Sequence, residues 1–284
     1  MAAVALSLTA TLSACSSQDS DPLAEIPAFD VDPGRVTIVD SGEGPKSVLA
    51  YATEGAQQST AIEVASGIYQ GTVATDKVDP DAPEPGNTDA QTLQLEATGS
   101  GATTDIVAEG FRMRWSADPT GQITDVKLLP DKDSSDEDRE RLERALLQLL
   151  STMPVFPREE VGEGASWTAT ARTTGKTSMQ RTTTYTVSKI EGTTVTLDLN
   201  ISEKLPGNSS QSGPTTDGVT DDVDNVQLNE ESTNTTSQAE ITVDLTKPIP
   251  VAGENSVTTR LVYTGQNQDF KVVQDVTTIT RYGK

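Results

Sequence analysis

Carboxylates are the most numerous side chains in this sequence that could perform chemistry, since 43 residues are Asp or Glu. A pair of them could hydrolyse a glycosidic bond, with one acting as acid and the other as base or nucleophile. Because acids are frequent throughout the chain, we interpret Glu159-Glu160 and Asp221-Asp222 as solvated charges. The sequence contains no histidine, the commonest general base and a usual zinc ligand. We therefore predict no catalytic residues, no cofactor and no enzymatic activity.

One acidic segment offers the oxygen ligands that calcium prefers. Residues 217–225 are Asp-Gly-Val-Thr-Asp-Asp-Val-Asp-Asn, and carboxylate and amide oxygens bind this ion. Their spacing departs from the calcium-loop pattern, because the glycine comes directly after the first Asp instead of at the sixth position. The sequence also lacks a glycine-rich loop followed by Lys, of the kind that binds phosphate. We therefore predict no metal site.

The only cysteine, Cys15, lies in a sequence environment that points to one modification. A lone cysteine cannot form an internal disulfide. The apolar run before it, residues 2–12, is too short to span a bilayer, which needs about 20 apolar residues. It suits the apolar segment of a secretion signal. The run ends in Leu12-Ser13-Ala14-Cys15, after which the chain turns polar, and this predicts export and processing beside Cys15.

The four residues that end at Cys15 resemble the lipobox of bacterial lipoproteins, in which small residues separate a Leu from the cysteine. The resemblance implies cleavage between Ala14 and Cys15 and attachment of lipid to the Cys15 sulfur. Two or three acyl chains anchor a protein stably, whereas one is marginal. We expect a signal peptide over 1–14, a flexible tether over 15–34 and a location on the outer face of the cell membrane. One departure from these signals is that no Lys or Arg precedes the apolar run.

Alternation of apolar and polar residues dominates the chain after residue 35. It is clearest over 195–201 and 241–245, where Val, Leu and Ile alternate with Thr, Asp and Asn. Such alternation indicates antiparallel strands with one apolar face and one solvated face. Asp118-Pro119-Thr120-Gly121 and Glu191-Gly192 predict hairpin turns. Further strands are predicted near 47–53, 60–70, 93–95, 111–115, 122–129, 165–173, 180–189, 257–264 and 269–281.

One amphipathic helix is predicted at about 135–150. Ser134 or Ser135 can cap it, and three acids follow in the first turn, where the helix dipole favours them. Its apolar face recurs at i, i+3, i+4 and i+7, at Leu142, Ala145, Leu146 and Leu149. We expect the helix to cover one sheet face; the alternative is a lid over a lipid cavity.

These elements together predict a mainly β protein with a curved antiparallel sheet or half-barrel covered by the helix. A single domain is expected over residues 35–284. Two stretches rich in small polar residues, 76–90 and 204–237, are predicted to be mobile loops.

The segment 156–167, Phe-Pro-Arg-Glu-Glu-Val-Gly-Glu-Gly-Ala-Ser-Trp, resembles the signature lP..pVG.Ga.W of uncharacterised bacterial, probably actinobacterial, secreted lipoproteins. That family has no known activity, so the resemblance assigns no site residue. The order of elements is also similar to half-barrel lipoproteins, LppX and LprG of actinobacteria, and to the LolA and LolB carriers. Those proteins hold acyl chains between a curved sheet and helices, which implies an acyl-lipid ligand. Locally, we expect Trp167 to fill the core.

The net charge of −22 limits the partners. Such a surface repels nucleic-acid phosphates, so we predict no nucleic-acid binding. We expect a non-enzymatic, membrane-anchored lipoprotein that binds or carries a hydrophobic ligand such as an acyl lipid. The alternative is a structural or protein-interaction lipoprotein of the cell envelope with a filled core. A cavity between sheet and helix would distinguish the first from the second.

Overall fold

The computed structural model describes residues 21–31, 34–173, 179–205, 228–265 and 268–283. Strands dominate these residues, which contain one α-helix, α1 (Asp136–Ser151), and a short 3-10 turn at Thr75–Lys77. The predicted mainly β class with one covering helix is confirmed. The strands are β1 (Phe29–Asp30), β2 (Arg35–Asp40), β3 (Glu43–Val48), β4 (Gln57–Ala74), β5 (Asp89–Ser100), β6 (Thr103–Ala108), β7 (Phe111–Ala117), β8 (Ile123–Pro130), β9 (Glu160–Glu163), β10 (Ser166–Arg172), β11 (Gln180–Glu191), β12 (Thr194–Lys204), β13 (Asn229–Asp244), β14 (Ala252–Thr264) and β15 (Phe270–Tyr282).

Within the described residues, thirteen strands form one curved antiparallel sheet in the order β1-β8-β7-β6-β5-β4-β15-β14-β13-β12-β11-β10-β2, while β3 and β9 pair separately. The sheet does not close into a barrel in this part of the chain. Its two edges, β1 and β2, are neighbours in sequence. The gap between the two edge strands, β1 and β2, is called the seam here. Only a few residues of the chain connect these two strands.

The helix α1 packs on one face of the sheet, which we call the inner face. Ser135 caps it by accepting a hydrogen bond from the Asp138 backbone N–H at 3.1 Å. Leu146 and Leu149 are fully buried in the main core. The Gln148 Nε2 atom donates to the backbone oxygens of Ala65 (3.2 Å) and Ile279 (2.8 Å). The helix is thereby held across β4 and β15, which confirms its covering role.

The tether was predicted over 15–34, and its described residues, 21–31 and 34, contact the sheet. Asp21 pairs with Arg114 at 2.7 Å, and the Lys127 Nζ atom donates to the Leu23 backbone oxygen at 3.0 Å. Leu23 is buried, and β1 pairs with β8. The burial of Leu23 and the contacts with Arg114 and Lys127 therefore hold this segment on the sheet, although its composition alone predicted flexibility.

The loop predicted at 76–90 begins with the 3-10 turn and ends in the first residues of β5. Between them the chain lies against the outer face of the sheet. The Arg260 Nη1 atom donates to the Asp79 backbone oxygen at 2.7 Å, and Asn234 Nδ2 donates to Pro80 at 3.1 Å. The loop approaches β4 so closely that a Cβ atom on Gly67 would lie 2.1 Å from the Asn87 oxygen. These contacts place the loop on the sheet.

The loop predicted at 204–237 is wrong for its last nine residues, because β13 begins at Asn229. This part of β13 lacks apolar alternation, since hydroxyl groups replace apolar side chains on its inner face. The Thr235 Oγ1 atom bonds the Glu203 backbone N–H at 2.9 Å, and the Ser237 Oγ atom bonds that of Ile201 at 3.0 Å. Residues 206–227 lie outside the described part. The strand predicted at 47–53 is also wrong beyond Val48, where β3 ends.

Candidate ligand-binding pockets

The predicted modification site cannot be placed in the fold. Cys15 and Ala14, the expected lipidation and cleavage positions, lie outside the described residues, which begin at Asp21. The acidic segment 217–225 also lies outside them. Within the described residues, no group of three or more Cys, Asp or Glu side chains is arranged to hold a metal ion. What the structure does show is the space between sheet and helix.

Side chains fill the centre of that space. Trp167, as expected, is fully buried in the core, together with Phe156. Tyr51, Phe156, Trp167 and Tyr185 form a continuous row with neighbouring ring centroids 5.5, 5.9 and 5.5 Å apart. The Trp167 Nε1 atom donates to the Val155 backbone oxygen at 2.8 Å, so the indole is satisfied in place. The aromatic row therefore fills this part of the space with protein side chains.

A pocket of about 310 Å³ remains at one end of the half-barrel, and we call it the mouth pocket. It lies between the loop that follows β3, the β5–β6 and β7–β8 hairpins, and the chain after α1. Most of its wall is apolar or backbone. Its lining includes Tyr51, Trp115, Ala117, Pro119, Ile123 and Met153. A pocket of this volume is at the lower end of the range for small-molecule sites, about 300–1,000 Å³.

The β7–β8 turn forms one wall of the mouth pocket, and Asp118 organises it. Its Oδ1 atom accepts hydrogen bonds from the backbone N–H groups of Thr120 (2.9 Å) and Gln122 (3.2 Å), while Oδ2 pairs with Arg158 at 2.9 Å. Burial alone would raise the pKa of Asp118, but the hydrogen bonds from Thr120, Gln122 and Arg158 outweigh it and lower the pKa. The carboxylate therefore stays charged and holds the turn.

Tyr51 forms the inner wall of the same pocket. Desolvation by burial raises the pKa of its hydroxyl, and the neighbouring Tyr185 and Tyr282 add to the effect. The phenol is therefore neutral at physiological pH. Gly121 has a φ of +88°, and a Cβ atom there would lie 2.7 Å from the Tyr51 ring. Glycine is thus required at this position both by the backbone conformation and by the close approach of the ring.

A second pocket, of about 150 Å³, lies at the seam between the two sheet edges, and we call it the seam pocket. Its walls come from β1, β10 and β11 and from the last turns of α1. It adjoins the mouth pocket, since Gly121, Ile123 and Met153 line both. Its remaining lining includes Phe29, Val31, Leu147, Leu150, Ala171 and Arg181.

Two arginines, Arg172 and Arg181, line the seam pocket, and the charge of the buried one, Arg181, is already balanced. The Arg181 guanidinium pairs with the Glu203 Oε1 atom at 2.7 Å, and Thr259 donates to the other carboxylate oxygen at 2.7 Å. All three side chains are buried. A charged ligand would face both members of this pair and would also lose its hydration. The buried part of the pocket therefore suits an uncharged apolar group, whereas the other arginine, Arg172, is exposed to solvent.

Sequence reasoning assigned no ligand-binding residue. The turn at Asp118–Gly121 carried a readable signal, and it was identified as a hairpin without its role as a pocket wall. Tyr51 and Met153 carried no such signal, because they meet Trp115 only through tertiary packing.

In the described part of the chain, α1 is the only α-helix, and it is not long and apolar enough to cross a membrane.

Comparison with known families gives one match. Residues 145–248 match the model of a family of unknown function, DUF6263. The matched region runs from the last turns of α1 through β13 and includes Phe156 and Trp167. No curated protein and no solved structure matches the chain.

Proposed function

We propose that this chain is a lipid-anchored, non-enzymatic binding protein on the outer face of the cell membrane, and that it holds one small hydrophobic molecule. The mouth pocket is the observation that carries the proposal. It is an apolar site of about 310 Å³ at an accessible end of the half-barrel. The anchor is supported by the residues that end at Cys15, whose pattern resembles the lipobox.

The apolar part of the lining supports an uncharged ligand, and the carboxylates of Glu54 and Asp118 in the wall would repel an anion. Trp115, Ile123 and Met153 supply apolar surface, and the Tyr51 hydroxyl is neutral. Burial of apolar ligand surface contributes roughly 25 cal/mol per Å². Met153 is an unbranched, adaptable side chain that can adjust to ligands of different shape.

The size of the two pockets restricts the ligand class. A lipid with two acyl chains would need the space that the aromatic row occupies, and Trp167 and Phe156 are fully buried there. A single chain or a compact apolar molecule needs no such displacement. It could enter the mouth pocket and extend past Met153 towards the seam pocket, because the same residue lines both.

The filled core favours a second candidate function. A structural or protein-interaction lipoprotein of the envelope needs a rigid domain and no ligand. The fully buried Trp167, Leu146 and Leu149 fit that role. In that case the two pockets are packing defects between loops.

Fatty-acid labelling of cells tests the anchor. The wild-type protein should incorporate an alkyne-tagged fatty acid, whereas Cys15→Ala should not, because the acceptor sulfur is gone. Both proteins should be recovered in similar amounts by antibody before the label is compared. Equal label in the two would remove the lipid anchor from the proposal.

Native mass spectrometry tests the ligand. The full chain carrying Cys15→Ser, which has no acceptor sulfur for the anchor, should be purified without detergent and examined for a bound small molecule. Ala117→Leu fills the mouth pocket and should abolish the extra mass. Ala82→Leu adds the same atoms at an exposed residue that lines neither pocket, and it serves as the matched control. If the protein is ligand-free and also takes up no fluorescent single-chain lipid at micromolar concentration, the structural role replaces the binding role.

A further inference from the structure

The position at which the N-terminal segment leaves the described domain is fixed. Asp21 is bound to Arg114 at 2.7 Å on the outer face of β7, and the same arginine also pairs with Asp105 of β6. Leu23, two residues on, is buried, and Lys127 of β8 donates to its backbone oxygen at 3.0 Å. The chain before Asp21 therefore starts from the outer face of β6–β8.

The length of chain between this point and the proposed anchor is short. Cys15 precedes Asp21 by six residues. An extended chain spans at most about 3.3–3.6 Å per residue, so the reach is about 20 Å. A lipid on Cys15 would hold Asp21 within this distance of the bilayer surface.

We propose that the outer face of β6–β8 is the surface that this protein turns towards the membrane, and that the lipid bilayer surface is its partner. The proposal rests on the lipid attachment proposed above. It replaces the expectation of a long free tether. Because the chain from Asp21 onward is held on the sheet, only the residues between Cys15 and Asp21 set the distance between the domain and the bilayer.

The charge of this face agrees with the assignment. It carries three cations, Arg112, Arg114 and Lys127, beside the carboxylates of Asp105 and Asp125, and the segment fastened along it adds Asp21, Glu25 and Asp30. With three cations and five carboxylates, the face is only weakly acidic in a chain of net charge −22. Anionic lipid headgroups repel acidic surfaces within a Debye length, about 8 Å at physiological salt. A weakly acidic face meets less of this repulsion than the net charge of the whole chain implies, so it can approach the bilayer.

One exposed apolar side chain marks the centre of this face. Val107 on β6 lies opposite Arg112 of β7 and is 42% exposed. It can contact the headgroup region without a desolvation cost. Asn200 provides a control position on the outer face of β12, six strands away around the curved sheet.

Fluorescence quenching in vesicles tests the orientation. Lipid attachment blocks the Cys15 sulfur, so an introduced cysteine is the only free thiol of the lipidated full chain. Val107→Cys and Asn200→Cys should each be labelled with the same fluorophore and reconstituted in vesicles that contain a headgroup-nitroxide lipid. We expect quenching several-fold stronger at position 107 than at 200. Equal quenching, or stronger quenching at 200, would overturn the orientation.

A lengthened tether provides the second measurement. Inserting about twelve Gly and Ser residues before Asp21 adds a flexible coil and should reduce the difference between the two positions. An unchanged difference would show that the short tether does not set the orientation and would overturn the proposal. Measuring the fatty-acid label on each variant distinguishes a failure of the proposed anchor from a failure of the proposed orientation. Missing label overturns the anchor and the orientation together, whereas normal label with equal quenching overturns the orientation alone.

Discussion

Single residues on the inner face show how the core tolerates charge. The Arg181 Nε atom donates to Glu203 Oε1 at 2.8 Å, and Thr259 satisfies the second carboxylate oxygen. The Glu203 side chain is only 3% exposed. Desolvation makes such a pair costly to form, but removal of one partner leaves an uncompensated buried charge. Removal of one partner should therefore destabilise the fold more than removal of both.

This dependence predicts a non-additive result. Glu203→Ala should lower the free energy of unfolding by about 3–5 kcal/mol, because it leaves the Arg181 guanidinium buried and unpaired. Adding Arg181→Met to the same protein should recover a large part of the loss. Urea unfolding of the two single variants and the double variant measures the coupling. A double variant whose loss equals the sum of the single losses would contradict the prediction.

Asp118 gives a pH-dependent prediction. Its pKa is lowered from the ordinary 3.8 in the folded state despite its partial burial, because Thr120, Gln122 and Arg158 hydrogen-bond the charged form. The stabilisation is therefore present above the unfolded value, and it is lost as the pH falls through the folded pKa. Asp118→Asn should lower the free energy of unfolding at pH 7 by about 1 kcal/mol.

The difference between Asp118→Asn and wild type should fade as the pH falls below the ordinary 3.8 and through the lowered pKa of the folded state, because the wild-type carboxyl group then becomes protonated. Thermal unfolding at several pH values measures it. Asp89→Asn, at an exposed residue for which the structure shows no such cage, provides the control. A difference that does not fade in acid, down to the pH at which the wild-type protein unfolds, would show that the charge has no part in holding the turn.

At the scale of elements, α1 is the clearest case in which sequence pattern and packing agree. Leu142 and Leu146 lie one turn apart on its apolar face, but their burial differs. Leu146 is fully buried in the main core, whereas Leu142 is partly exposed at the side of Gly110. Periodicity places both on one face but does not show how deeply each residue enters the core.

The two leucines therefore form a matched pair for a stability measurement. Leu146→Ala should lower the free energy of unfolding by about 2–5 kcal/mol, through lost burial and the cavity it leaves. Leu142→Ala makes the same chemical change where solvent already reaches the side chain, so its effect should be clearly smaller. Chemical denaturation of both variants decides this, and equal losses would mean that the helix is not seated as described.

The elements that the sequence misplaced share one physical cause. The first half of β13 has no apolar alternation, because its inner-face hydroxyls, such as that of Thr235, bond to the backbone of β12. The segment Asp21–Asp30 has acids and prolines but no alternation, and Arg114 and Lys127 hold it from a distance of about a hundred residues in sequence. Alternation and composition report on local burial, so they do not register hydrogen bonds between distant residues.

At the scale of the whole molecule, the pockets were unpredictable for the same reason. Tyr51, Trp115 and Met153 come from three separate parts of the chain and meet at one end of the half-barrel. The mainly β class followed from alternation alone, and the position of the covering helix followed from its cap and period. Which spaces are filled follows from side-chain packing, and Trp167 was the one residue of the filled centre that the sequence identified.

The net charge of −22 gives a prediction for the entire fold. Self-repulsion of a strongly charged chain opposes the compact state. Raising NaCl from about 10 to 150 mM should therefore increase the thermal midpoint by a few degrees, because the Debye length falls from about 30 to 8 Å.

Calcium chloride at matched ionic strength is the control for this salt effect. It should give a similar increase if screening is the cause and the acidic segment 217–225 binds no metal, as the sequence predicts. A much larger increase with calcium, lost when the aspartates of 217–225 are replaced by asparagine, would reveal a metal site there. An absence of any salt effect would show that charge repulsion is not significant for folding.

The shortness of β1 has a mechanical consequence. β1 pairs only two residues with β8, and it directly follows the segment bound by Arg114 and Lys127. Tension applied from the N-terminus would load these few contacts one after another instead of all at once. They would separate before the long pairs between β4 and β15 or β13 and β14 carried force. Because Phe29 and Val31 line the seam pocket, stretching a membrane-held chain would uncover that pocket while the rest of the sheet stayed intact.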